Sequence, residues 1–135
     1  MTEFTIQGKP KGKDRPRFYK GHAYTPPETK KYEGLVRWAY HAANGYKYGG
    51  GVAIVIDAYF KPPARTTKAM LQKMLDCELR PKRKPDLDNV AKIIMDALNG
   101  IAYDDDSQVV ELTVRKWFGL TDKVTVKIYD EGTLQ

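Results

Sequence analysis

GVAIVIDAYF, residues 51–60, is an almost unbroken apolar run, rich in β-branched residues, opened by glycine and closed by Lys61-Pro62-Pro63. Such a run reads as a central strand buried on both faces, and the remaining elements arrange themselves around it. Downstream, Thr67 to Leu79 predicts a helix with Leu71, Met74 and Leu75 on one face and Pro81 as its stop. Cys77 is expected to pack there as a small apolar group. A third helix begins near Asp86–Asp88, where Val90, Ile93, Ile94, Ala97 and Leu98 form an apolar stripe and Asn99-Gly100 closes it. Two strands follow. In 108–118, Val110, Leu112, Val114 and Phe118 share a face; in 123–129, Val124, Val126 and Ile128 alternate with Lys123, Thr125 and Lys127, so one face is wet. Gly119–Asp122 reads as the hairpin turn between them.

Upstream of the central strand, Phe4 and Ile6 alternate with polar residues and predict a short first strand. Gly8 to Tyr24 has glycines, prolines and no apolar period, which predicts a basic loop. Thr25-Pro26-Pro27-Glu28 reads as a capping box with proline at the first helical position. Tyr32, Leu35, Val36, Ala39, Tyr40 and Ala43 then follow at helical spacing up to Asn44-Gly45. The order β-α-β-α-α-β-β predicts an α+β fold. It is a single domain over residues 1–135, with a mixed sheet of about four strands packed with about three helices.

A chain of 135 residues with 41% apolar and 30% charged side chains has the composition of one globular domain. No apolar stretch comes near the ~20 residues a membrane span requires, and MTEFTIQGKPKGK lacks the apolar core of a signal peptide. A lone cysteine, Cys77, forms no intrachain disulfide, so a reducing, cytoplasmic setting is expected. His22 and His41 with one cysteine are too few for a Cys/His zinc site. Ser107, the sole serine, lies in no G-x-S-x-G turn. Gly49-Gly50-Gly51 is followed by valine rather than Gly-Lys-Ser/Thr, so no nucleotide cofactor is expected.

Charge carries more information. The net charge is +6, and residues 8–20 and 61–85 carry +5 and +6, whereas 86–106 carries −5. Clustered lysine and arginine suit a polyanion such as DNA, although a solvated basic surface gives the same sum. An acidic block between basic ones repels phosphate unless divalent cations bridge the two.

That block contains Lys84-Pro85-Asp86-Leu87-Asp88-Asn89 at the start of the third helix. One aspartate can cap the helix; alternatively, both project to one side of an extended segment and reach a metal ion. Lys92 and Asp96 continue the line from Asp88 at i,i+4 spacing, either as an exposed ion-pair ladder or as a cation beside a reacting phosphate. Asp104-Asp105-Asp106 precedes the next strand. It is no EF-hand, since Val109 and Arg115 replace the required glycine and glutamate. Oxygen-only ligands suit Mg²⁺, with Mn²⁺ as a substitute.

The stretch KPDLDNVAKIIMDALNGIAYDDDSQVVELTVRK (84–116) resembles the signature of the RusA-type Holliday junction resolvases, including their phage-borne relatives. It has K-P-D-x-D-N, a lysine on the following helix, D-A-L, and D-D-x-Q-V opening a strand. GKPKGKDRPRF and YTPPETKKYE resemble the phage-type branch. Asp96 matches the D-A-L aspartate and is read as structural through its ladder with Lys92. The resemblance implies that Asp86, Asp88 and Asp106 bind metal and that Lys92 is catalytic. It further implies a homodimer that makes paired symmetric nicks in DNA four-way junctions during recombination and repair, leaving 5′-phosphate and 3′-hydroxyl ends. Lys9, Lys11, Lys13, Arg15, Arg17, Lys82, Arg83 and Lys84 are the expected DNA contacts, and a nucleoid association follows. Phe18, Tyr19 and Tyr24 are read either as base-stacking rings or as core. Two alternatives stand beside this reading: a non-catalytic nucleic-acid-binding protein, and a general metal-dependent nuclease of flaps or single strands.

Overall fold

The apolar run at 51–60 lies inside the sheet in a computed structural model that describes residues 1–131. In chain order the elements are β1 (Thr2–Gln7), β2 (Arg17–Tyr19), β3 (His22–Tyr24), α1 (Pro27–Ala42), β4 (Val52–Phe60), α2 (Lys68–Leu75), α3 (Leu87–Ala97), a 3-10 turn (Asp106–Gln108), β5 (Val109–Phe118) and β6 (Lys123–Asp130). Four strands form one mixed sheet in the order β1-β6-β4-β5, and β2 pairs with β3 in a separate hairpin. β4 runs antiparallel to β6 and parallel to β5, while β1 runs antiparallel to β6. This is the expected α+β architecture. Among the described residues no helix is long and apolar enough to cross a membrane.

α1 and α3 supply one layer over the sheet. Val36 and Tyr40 of α1, Val90, Ile93 and Ile94 of α3, Ile54 and Ile56 of β4, and Val124, Val126 and Ile128 of β6 are all fully buried in one cluster. Each such side chain contributes about 1.5–3 kcal/mol by leaving water. The alternate positions of β4 face away from this layer. There the Asp57 carboxylate accepts hydrogen bonds from Arg115 Nε (2.7 Å), Arg115 Nη2 (3.0 Å) and Trp117 Nε1 (2.7 Å). Burial raises the Asp57 pKa, and the hydrogen bonds from Arg115 and Trp117 outweigh it, holding the carboxyl below its ordinary value.

Four local expectations change. Gly119–Asp122 is not a hairpin turn, because β4 lies between β5 and β6. The segment instead crosses the end of β4, held where Gly119 N donates to Phe60 O (3.0 Å) and Lys61 N donates to Asp122 Oδ1 (2.8 Å). β5 is consequently an edge strand: Val110 and Leu112 keep the expected face yet stay exposed. The capping box of α1 does not form. Pro26 occupies the N-cap (φ −56°, ψ 145°) with no side-chain cap bond, since a residue preceding proline is driven out of the helical region. Leu35 of α1 is exposed. α2 stops at Leu75 and buries nothing, because the core face of the sheet is already filled by α1 and α3. Cys77 follows in the left-handed region (φ 64°) and is exposed rather than packed. Finally, the basic loop contains the β2–β3 hairpin.

Candidate active site

α3 begins where the backbone of residues 10–14 is pressed against it. Lys13 N donates to Asn89 O (2.9 Å), and a Cβ on Gly12 would stand 2.9 Å from the Cβ atoms of both Pro85 and Asn89. Only glycine permits that approach. The two segments wall a cleft of about 380 Å³ that includes Lys11, Asp14, Lys84 and Asp86. Across Lys84-Pro85 lies a second hollow of about 250 Å³, with Lys9, Arg83 and Phe60 in its lining. Basic side chains therefore flank the start of α3 on both sides.

Asp86 is the N-cap residue of α3, extended at φ −70° and ψ 150°, yet its side chain makes no cap bond. Asp88 accepts only from the adjacent Asn89 N (2.9 Å). Both are exposed. The capping role is thus filled by neither carboxylate, and both are left facing solvent at the positive end of the helix.

Lys92, one turn on, has its Nζ 3.7 Å from Asp96 Oδ2 and is largely exposed. Asp96 has a closer partner: Lys13 Nζ at 3.2 Å, which also meets Glu33 Oε2 at 2.8 Å. Burial lowers the Lys13 pKa, and its bonds to Glu33 and Asp96 outweigh that and raise it. Lys13 ties the N-terminal segment to α1 and α3, a role the sequence reading missed. Of the other basic residues expected to meet DNA, Lys11 pairs with Asp14 (2.9 Å), Arg83 donates to Lys61 O (3.1 Å), and Arg17 lies 3.9 Å from Glu28. Lys9, Arg15, Lys82 and Lys84 are exposed.

The three consecutive aspartates have distinct environments. Asp104 pairs with Lys47. Asp105 caps the 3-10 turn by accepting from Ser107 N (3.0 Å), a bond that holds its carboxyl below the ordinary value. Gln108 completes that capping box and also donates to Tyr48 O (3.1 Å) and Gly50 O (2.8 Å), clamping the turn to the segment before β4. Asp-x-x-Gln at 105–108 carried this signal in the sequence. Asp106 is left as the member of the triplet whose side chain has no hydrogen bond or ion pair among the described residues.

Asp106 is not beside Asp86 and Asp88 in one chain. Lys116, near the far end of β5, donates to Arg83 O (2.6 Å), which sets the start of α3 against the end of β5. Asp106 precedes the beginning of β5. The strand from Val109 to Lys116 spans roughly 23 Å at ~3.3 Å per residue. Among the described residues no three His, Cys, Asp or Glu side chains gather into a group able to hold a metal ion. The donor type suits a hard divalent cation, but a single chain brings only Asp86 and Asp88 together and does not fit a three-carboxylate centre.

Residues 7–129 match the family Endodeoxyribonuclease RusA. The chain belongs to the RusA family. RusA proteins are endodeoxyribonucleases, hydrolases that resolve Holliday junctions, so family membership favours an enzyme over a bare binding module. The chain is also 34% identical over 135 residues to a Bacillus subtilis (strain 168) protein described as "Uncharacterized protein YqaN", covering 93% of this chain and 94% of that one. The RusA match extends from the end of β1 to near the end of β6 and so takes in the whole candidate site.

Proposed function

We propose that this RusA-family chain is a Mg²⁺-dependent resolvase that cuts four-way DNA junctions by paired symmetric nicks, in recombination and repair, and works as a homodimer. One observation supports it most directly. The N-cap aspartate of α3 caps nothing: Asp86 makes no cap bond, Asp88 accepts only from the adjacent Asn89 N, and both carboxylates are exposed at a helix N-terminus beside two hollows lined by lysine and arginine. Free carboxylates amid lysines are costly for a passive phosphate binder and useful to a metal-dependent one.

Asp86 and Asp88 hold the cation in this reading, with Asp106 of a second copy as the remaining carboxylate, since one chain separates them. Held there, Mg²⁺ would supply Lewis-acid activation of a phosphodiester and of the attacking water. Lys92, one turn along α3 from Asp88 and largely exposed, would stabilise charge building on the phosphate. Lys9, Lys11, Lys84 and Arg83 hold the backbone of the arms. Lys13 holds the N-terminal segment on α3 so that these cations stay in place. Two sites related by a two-fold axis match a junction of the same symmetry.

The test is cleavage of a labelled mobile four-way junction beside a linear duplex of matching sequence, with and without Mg²⁺, by the wild type and Asp106→Asn. Paired nicks in the junction alone, lost in the variant, are expected. Equal cleavage of flaps or single strands would replace this reading by a general nuclease. Mixing Asp88→Asn and Asp106→Asn chains restores one complete site per dimer if the site is shared between copies; no recovery refutes the sharing.

A further inference from the structure

We propose that one face of the β2–β3 hairpin is a stacking platform for nucleobases exposed where DNA strands part. The inference rests on the nuclease reading above and adds a second DNA-reading surface to it.

The register pairs Arg17 with Tyr24 and Tyr19 with His22, so these four side chains share a face, while Phe18 and Ala23 occupy the other. Every residue of the two strands is exposed, Phe18 by 72%, Tyr19 by 67% and Tyr24 by 43%. Three large rings on six strand residues exceed the scatter of single exposed apolar residues that any surface carries. Tyr19, Lys20, His22 and Tyr24 line an open hollow of about 460 Å³ whose walls are largely apolar. The tip is a tight turn: Lys20 and Gly21 both have positive φ (50° and 78°), the backbone of a two-residue primed turn. Lys20 Nζ lies 5.5 Å from the centre of the Tyr19 ring.

The surrounding charge selects the occupant. Residues 15–25 contain Arg15, Arg17 and Lys20 and no carboxylate. Rings beside cations match a base beside its phosphate, the pairing used by proteins that hold single strands. A stacked, fully paired duplex offers no base face to such a platform. The hairpin is also tethered to the site: Lys13 is fixed on Asn89, and Arg17 follows it by four positions, at most about 14 Å away. Tyr19, six positions on from Lys13, can stand no more than about 21 Å from it, so bases held here belong to the same junction as the phosphate that would face Asp86 and Asp88.

The experiment compares the full-length wild type, Tyr19→Ala/Tyr24→Ala and Tyr19→Phe/Tyr24→Phe in EDTA. Binding is measured to a four-way junction, an oligothymidine and a duplex, and 5-iodouracil at the junction centre supplies a photocrosslink in the wild type. The alanine pair is expected to lose roughly tenfold or more in affinity for the junction and the single strand. Duplex affinity should stay within about twofold, the phenylalanine pair should match the wild type, and crosslinks should map to residues 17–24. An equal loss on duplex, an equal loss in the phenylalanine pair, or crosslinks confined elsewhere would overturn the platform. Crosslinks at the hairpin in EDTA, with a wild type that cuts no junction once Mg²⁺ is supplied, would leave the platform standing and remove the resolvase reading.

Discussion

Replacing Asp86 by alanine and, separately, by asparagine distinguishes a helix cap from a catalytic carboxylate. Asparagine is as good an N-cap as aspartate, whereas alanine forfeits about 1 kcal/mol where a cap bond exists. The Asp86 side chain makes no such bond, so the two variants should lose the same thing: a negative charge near the helix N-terminus, about 0.3–1 kcal/mol. Unfolding entropy near 2.1 cal/mol/K per residue gives about 0.28 kcal/mol/K for 135 residues. Both variants should therefore melt about 1–4 °C below the wild type by calorimetry and within about 2 °C of one another. Junction cleavage should fall at least about 100-fold in both, because the lost carboxylate is one that would hold the metal. Junction binding should persist or tighten, since negative charge near phosphate has been removed. The reasoning is refuted if the alanine variant melts more than about 4 °C below the asparagine variant while asparagine cleaves normally.

Gly12→Ala forces the N-terminal segment off Pro85 and Asn89; chemical denaturation should show a loss of about 1–3 kcal/mol from overpacking, with reduced cleavage, and an unchanged midpoint would show that the segment yields freely. Asp57→Ala strips Arg115 and Trp117 of their shared acceptor. With Arg115 partly in water, the cost should be about 2–3 kcal/mol, read from the urea midpoint, with the catalytic rate of folded protein unaltered. The pH dependence of melting has two limbs. Asp57 and Asp14 are held below 3.8, Asp14 by its hydrogen bond from Lys11, so their contribution is complete above that value and lost as pH falls through the lowered pKa values. Lys13 is raised above 10.5, so its contribution is complete below that value and lost as pH rises through the raised one. Lys13→Met should flatten the alkaline limb alone; flattening of the acid limb instead would misassign it.

The elements legible in the sequence are those whose side chains decide their own environment. β4 and the stripe Val90, Ile93, Ile94, Ala97 on α3 announce burial by composition and period, and both are buried as expected. What stayed hidden depends on neighbours distant in sequence. Nothing in residues 108–129 records that β4 separates β5 from β6, because a four-residue link serves a hairpin or a crossing equally well. α2 has an amphipathic pattern but finds the core face occupied, so Leu75 and Cys77 remain in water. At the site, the motif from Asp86 to Asp106 reads as one cluster along the chain, yet α3 and β5 place its halves at opposite ends. The roles within the aspartate triplet follow from local partners, Lys47 and Ser107, of which only the Asp105–Gln108 cap was visible in the spacing.

The position of β6 has a consequence for how the protein comes into being. Among the described residues it is the last strand in chain order and yet sits inside the sheet, and it is the sole strand to which β1 is paired. During synthesis β1, the first element to emerge, waits with its backbone donors and acceptors unmatched until β6 arrives. α1 and α3 meanwhile lack Val124, Val126 and Ile128 beneath them. A chain halted after Gly119 would carry every carboxylate of the candidate site and still lack the floor on which α3 rests. Folding of the candidate site is therefore coupled to synthesis through β6, and a copy ended before Lys123 is expected to be inert toward DNA.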